Sequence, residues 1–484
     1  MTRRPPILRS ALLAAALSLV TVGCGEEYDP FELGETRHEY VSRPDLGAPG
    51  IEITPYASPA TSSPTDDDLV FLAPKDGEPM NSLLIVDAEG EPVWIHPLGE
   101  ARSYDLKVQE YQGEPVLTWW RGENLALGYG AGEWVVMDDT YEEIATVTTH
   151  GVQEADFHEL TLTDDGTALM VSYPKVRRDL TEIGGPEDGY VIDNVIQEVD
   201  VESGEVLFEW SALDHIPLTD TRVDVQTAEG QDGLEETPFD YAHVNSVTED
   251  TDGSLLVSAR NTHAIYRIDR ETGEIDWTLG GSSSDFAMTG GAAFAWQHDA
   301  QRQSDGTITL YDNENLPPMD DQSRGLRLEL DRRSGTARVV TEYLPPDGRL
   351  AESQGNLQVR DNGNVLIGWG QQPYYSEYTA DGELLWDAAL ESGESYRALR
   401  LPWVAEPAEP PDLVVEDGTA YVSWNGATEV AAWRFVAGAD AAEASEVATV
   451  RREGFETAVD VPDEPYVAVE ALDADGQVLG SAEA

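Results

Sequence analysis

Apolar and polar residues alternate with a period of two through most of the chain. Asp-Gly, Asn-Gly or Ser-Gly steps break the alternation at short intervals. Strands with one buried face produce this pattern. Gly in such a step accepts positive φ at low cost, so each break reads as a tight hairpin. One hairpin recurs as HELTLTDDGTALMVSY (158–173), HVNSVTEDTDGSLLVSAR (243–260), HDAQRQSDGTITLYDN (298–313) and NLQVRDNGNVLIGWG (356–370), with a looser copy, YDLKVQEYQGEPVLTWW (104–120). A second hairpin accompanies it: LLIVDAEGEPVWIH (83–96), IQEVDVESGEVLFEW (196–210), IYRIDRETGEIDWTL (265–279), RLELDRRSGTARVV (327–340) and YSEYTADGELLWDA (375–388). No long stretch beyond the amino terminus has helical periodicity.

Two hairpins make a four-stranded antiparallel blade, and blades repeated radially make a β-propeller. Five inner-strand copies are present. SYRALRLPW (395–403) resembles the start of SYDLKV (103–108) but lacks outer strands of its own, whereas DLVFLAP (68–74) and the hairpin 83–96 lack an inner one. If residues 395–401 complete the blade begun near residue 68, the ring closes with both chain ends and exposes no sheet edge. This predicts six blades, with seven as the alternative, over residues 67–403. A proline-rich acidic linker (404–411) follows. Residues 412–484 are short alternating strands with Trp424 and Tyr466 as core aromatics, which predicts a small fibronectin-type β-sandwich.

Composition adds location and excludes partners. The formal charge is −64, which repels nucleic acid and anionic membrane surfaces. Only Lys75, Lys107 and Lys175 are lysines, and the single cysteine, Cys24, excludes an internal disulfide. A basic start (MTRRPPILRS), a short apolar run (ALLAAALSLV) and TVGC read as a bacterial lipoprotein signal over residues 1–23. Cys24 is the expected lipidation site, followed by a tether and lead-in over 24–66. The expected location is an exported protein held to the membrane by that lipid alone, facing the periplasm or cell exterior. The apolar run is too short to span a bilayer comfortably.

The candidate chemistry lies in the repeats. His158, His243 and His298 occupy equivalent positions near the start of an inner strand in three successive blades, so they converge on the propeller axis at one face. Arg260 ends the hairpin begun by His243 and folds back beside it. Asn245, two residues on from His243, is expected on the same face. Three imidazoles are compatible with zinc. Arg260, however, puts a permanent positive charge among them, and an arginine with several imidazoles better suits an oxyanion such as sulfate or phosphate. No metal and no cofactor are therefore expected. Asp299 either orients His298 or faces away. Trp296, Phe294, Trp119 and Trp120 are candidates to stack on an aromatic ligand.

The segment DYAHVNSVTEDTDGSLLVSARNTHAIYRIDRETGEIDWTLGG together with FAWQHDA resembles the bacterial arylsulfotransferase family over roughly residues 40–400. These enzymes do not use the nucleotide sulfate donor. The resemblance implies a six-bladed propeller, an aryl sulfate donor, a phenolic acceptor and a ping-pong reaction. It implies that His298 is the nucleophile that becomes transiently sulfated, and that His243, Asn245, Arg260 and His158 complete the site. It leaves the oligomeric state unknown, because this chain has no disulfide and carries its sandwich at the carboxyl end. The alternative is a non-catalytic surface propeller that binds a ligand or protein.

Overall fold

The computed structural model describes residues 37–56, 68–125, 128–315 and 317–484. The signal segment, Cys24 and most of the tether lie outside the described residues. The described chain is all-β apart from a few short helical turns, and its sheets form a propeller-like array.

Among the described residues between 68 and 401, six largely antiparallel sheets are built on the inner strands Lys107–Tyr111, Leu160–Leu162, Val244–Glu249, His298–Arg302, Asn356–Val359 and Ala398–Leu401, and a smaller sheet joins Lys175–Arg178, Gly189–Ile192 and Phe239–Asp240. The hairpin glycines Gly113, Gly166, Gly253, Gly306 and Gly363 all take φ between 77° and 86°, a region that side chains with a Cβ disfavour. The sixth sheet joins distant parts of the chain. Ala398–Leu401 pairs antiparallel with Leu69–Leu72, with Ala398 opposite Leu72 and Leu401 opposite Leu69. Its other outer strands are Asn81–Val86 and Pro92–Gly99.

Neighbouring inner strands are stitched by side chains that bond backbone. Gln109 exchanges hydrogen bonds with Leu160 and Leu162. Thr161 donates to the Val247 carbonyl, and Asn245 to that of Gln297. Asp299 accepts from the Leu357 amide. Asn356 both accepts from and donates to Ala398. Arg397, just before the sixth inner strand, reaches back to Asp105 at 2.9 Å and Glu159 at 2.8 Å beside the first two. The order of these bonds is cyclic.

Large apolar side chains fill the spaces between sheets. Trp119 belongs there. It is buried with Leu83, Trp94, Val135 and Trp403, and its Nε1–H points at the Met137 sulfur 3.1 Å away. The sequence reading set it against the substrate; the structure instead makes it core. It lies beyond the first residues of the strand Glu114–Leu125, in the stretch 116–120 where every residue is buried. Trp120 is likewise core and donates to the Ala155 carbonyl.

Residues 412–483 form two further antiparallel sheets, of three and four strands, around Trp424, Trp433, Phe435 and Val469. Tyr466 is not in this core, contrary to expectation. Val467, Val469 and Ala471 take the inward positions of its strand, so Tyr466 falls on the other face and donates to Glu483. Asn425 caps the open edge of Pro92–Gly99. It accepts from the Ile95 amide at 2.8 Å and donates to the Ile95 carbonyl at 2.9 Å, and the Gly426 amide adds a bond to Val93. The edge is thereby closed to strand addition.

Replacing Arg397 with Met leaves Asp105 and Glu159 buried with Lys107 as their only cation, and should cost about 3–5 kcal/mol in urea unfolding. Arg338→Ala, at an exposed pair with Glu329, should cost under about 1 kcal/mol in the same measurement. Trp119→Ala should cost about 3–5 kcal/mol through the cavity it leaves.

Candidate active site

His158, His243, His298 and Arg260 line one cavity of about 460 Å³, together with Tyr104, Phe157, Asp240, Gln354 and Tyr396. The His158 and His243 rings meet edge to face with centroids 4.8 Å apart, and Tyr396 stands 5.9 Å from His158 and 6.5 Å from His298.

Each imidazole is held at Nδ1. His158 bonds the carboxylate of Asp156, which also accepts from the His158 amide and, through its other oxygen, from the Gly130 amide. His243 bonds Asp240 at 2.5 Å. His298 bonds the Asn313 side-chain oxygen at 2.7 Å. The Nε2 atom of His298 accepts a backbone N–H from Gln354 at 3.1 Å. Burial first, then the positive charge of Arg260, holds His298 well below the usual imidazole range, so its ring is neutral. Burial also lowers His243, against the opposing pull of Asp240.

Arg260 is the exceptional cation. Lys75 is paired with Glu394 and Arg102 with Asp76, both at 2.5 Å. Among the described residues no carboxylate pairs with Arg260. Its guanidinium donates to the Asn261 side chain and to the Glu352 carbonyl, its Nε–H has no partner, and burial pulls its pKa down to about 10. Its charge is available to an anion entering the cavity.

Local backbone geometry sets these positions. His243, Trp296 and Asp299 have φ of 56°, 59° and 53°, in the left-handed region, and the pairing register shifts between Val244 and Ser246 and again between His298 and Gln301. The first shift moves Asn245 off the expected face, because a bulge breaks the two-residue alternation. Asn245 does not line the cavity. Its amide donates to the Gln297 carbonyl at 2.8 Å and so fixes the residue before His298. Gln297 is itself buried and donates to the Ala259 and Ala264 carbonyls. Trp296 also stays out of the cavity. It backs the Arg260 guanidinium at 4.9 Å and packs on His263. Phe294 is core. Asp299 turns away from His298 toward Leu357 and Arg397.

Sequence reasoning missed Asp156, Asp240, Asn313, Gln354 and Tyr396. Asp156 and Asp240 carry a local signal, sitting two and three residues before their histidines. Asn313 follows the strand Ile308–Asp312 that pairs with His298 and is visible only once that register is known. Among the described residues no three His, Cys, Asp or Glu side chains are arranged to hold a metal ion.

No curated protein matches this chain. Among solved structures it is similar to a protein of unknown function from Bacteroides caccae, at 14% identity over 69% of this chain and 99% of that one, with a TM-score of 0.43. It is also similar to virginiamycin B lyase from Staphylococcus aureus, at 11% identity over 78% and 97% of the two chains, with a TM-score of 0.35. A third similar structure is the Cps50 (Swd1) β-propeller domain of Myceliophteria thermophila, at 13% identity over 67% and 94%, with a TM-score of 0.32. The sequence profile described as arylsulfotransferase (ASST) matches residues 107–391, more than half of the chain and a span that holds His158, His243, Arg260 and His298. The chain therefore belongs to the arylsulfotransferase family.

Proposed function

We propose that the protein moves a sulfuryl group from an aryl sulfate to a phenolic acceptor in two steps, through a sulfated His298. The observation that carries this reading is the pairing of a guanidinium without a carboxylate partner, Arg260, with a neutral imidazole, His298, in one cavity. An anionic sulfate ester needs the first, and a nucleophile needs the second.

In the first step the Nε2 lone pair of His298 attacks sulfur, and the bond from sulfur to the aryl oxygen breaks. The bonding electrons leave on the phenoxide, which takes the Nε2 proton of His243 or His158 from the imidazolium form of that ring, leaving it neutral. A sulfuryl oxygen replaces the Glu352 carbonyl on Arg260, and the Gln354 amide moves from Nε2 to another sulfuryl oxygen. Donors that already stand beside the reacting atoms exchange partners locally to stabilise the developing charge. In the second step the same imidazole base takes the acceptor phenol's proton. The phenol oxygen attacks sulfur, and the electrons of the N–S bond return to Nε2. The aromatic wall of Tyr104 and Phe157, stacked 3.9 Å apart, suits an aryl ring.

The scaffold in this reading is a six-bladed propeller over residues 67–403, closed by its two ends, followed by a fibronectin-type sandwich over 412–484. The amino-terminal pattern supports export as a lipoprotein anchored through Cys24, so the substrates are ones met outside the cytoplasm.

Incubated with p-nitrophenyl sulfate and phenol, the wild type should release nitrophenol and gain one sulfuryl group detectable by mass spectrometry. His298→Asn should abolish both; unchanged release would overturn the nucleophile assignment. Trp119→Ala, while folded, should keep the wild-type kcat/KM. Moderate salt should raise kcat/KM for the anionic donor by screening the net negative charge, measured as initial rate against ionic strength.

A further inference from the structure

The three imidazoles differ in what holds Nδ1. His158 and His243 meet carboxylates, Asp156 and Asp240, whereas His298 meets a carboxamide. We propose that Asn313 is the positioning residue that makes His298 the nucleophile of the three, by holding it as the neutral tautomer with its lone pair on Nε2.

The geometry leaves one assignment. The Asn313 side-chain nitrogen donates to the Gln354 carbonyl at 3.0 Å and, more weakly, to that of Ala351 at 3.4 Å. Its oxygen therefore faces His298 and can only accept, so Nδ1 carries the proton. On the other side of the ring the Gln354 amide donates to Nε2, which requires a lone pair there. Asn313 is fully buried, and its own carbonyl accepts from Ser323, so neither end of the residue is free to turn.

The contrast divides the labour. A carboxylate on Nδ1 favours imidazolium, the form that donates a proton from Nε2; Asp240 pulls His243 that way, although burial outweighs it and leaves the pKa lowered, and Asp156 faces the same atom of His158. A neutral amide gives no such stabilisation. Once Nε2 bonds sulfur and the phenoxide departs, the His298 ring is cationic. With only an amide on Nδ1 that cation stays uncompensated, so the ring remains a good leaving group when the acceptor attacks. A carboxylate at position 313 would stabilise the cation and slow the second transfer.

The titratable groups around His298 are Arg260, His158, His243 and Tyr396 across the cavity. Lys75 and Glu394 lie behind the Gln354 side chain. Asp312, beside Asn313, is engaged by Arg324, and Asp299 points away. None of them places a carboxylate on the ring, so burial and Arg260 keep it neutral and Asn313 fixes which nitrogen carries the proton.

The inference rests on the sulfuryl-transfer reading, and its test uses the full chain in two readouts. In ¹⁵N-histidine NMR, wild-type His298 should show the Nδ1–H tautomer across neutral and mildly acidic pH. Asn313→Asp, nearly isosteric, should raise its pKa, moving the acid limb of kcat/KM upward by about 1–2 pH units. Asn313→Ala should give mixed tautomers and a fall in kcat with KM little changed. Asn313→Ser, which keeps a neutral acceptor and guards against misfolding of the Asp variant, should retain the wild-type tautomer. An unchanged tautomer in Asn313→Ala, or an unmoved acid limb in folded Asn313→Asp, would reduce Asn313 to a structural role. The NMR readout needs no turnover, so a correct tautomer in a protein without transferase activity would sink the reaction and leave the tautomer assignment standing.

Discussion

The site depends on one closure. Residues 398–401 pair with residues 69–72, and Arg397 carries the join inward to Asp105 and Glu159. Without this contact the first inner strand and the sixth have no reason to lie side by side, and the imidazoles on intervening strands have no common centre. The groups that make it are buried. Although burial alone would raise the Glu159 carboxyl, Arg397 and Lys107 hold it below its usual range. Such a pair is costly to desolvate and costly to break, so its contribution is specificity of closure more than net stability.

The repeat then imposes a two-layer order on the axis. At the entry to four inner strands, a ring-bearing residue faces the cavity and the next residue turns to a buried ionic cluster: Tyr104 with Asp105, His158 with Glu159, His298 with Asp299, Tyr396 with Arg397. At Asp105 and Asp299 a left-handed backbone, with φ of 53° at each, accompanies the turn away from the cavity. The ionic layer forms a floor beneath the reactive layer and ties together the strands that carry it.

This order explains what could be read from sequence. The all-β class was legible in the two-residue period and the Gly-bearing turns, and the family in the segments around His243 and His298. The convergence of His158, His243 and His298 followed from their equivalent positions in the repeat, and Arg260 from the antiparallel fold-back of its hairpin. Asn245 and Trp296 escaped the same logic because bulges and left-handed residues reset the alternation at the strand entries. Trp119 escaped it because an aromatic in a strand looks the same whether it faces a core or a ligand. The Nδ1 partners were less accessible still. Asp156 and Asp240 are near neighbours in sequence, but Asn313 meets His298 only through the register of two paired strands.

Charge poses the remaining constraint, since a chain with a formal charge of −64 must admit an anion. Distance and dielectric resolve it. Surface carboxylates act through water and are screened within roughly 10 Å at moderate salt, whereas a group in contact inside a cavity acts through a medium of lower dielectric. Most arginines and lysines here are neutralised by acidic neighbours, including the two other cations of the cavity. Arg260 is set apart by its surroundings, an aromatic ring behind it and carbonyl oxygens before it. Leaving that charge without a carboxylate is expensive for a folded protein, as its lowered pKa registers. The cost becomes intelligible if an anionic ligand completes the arrangement: the same abundance of acid that makes the surface repellent makes an unpaired guanidinium beside a neutral imidazole a selective place for a sulfate ester to bind.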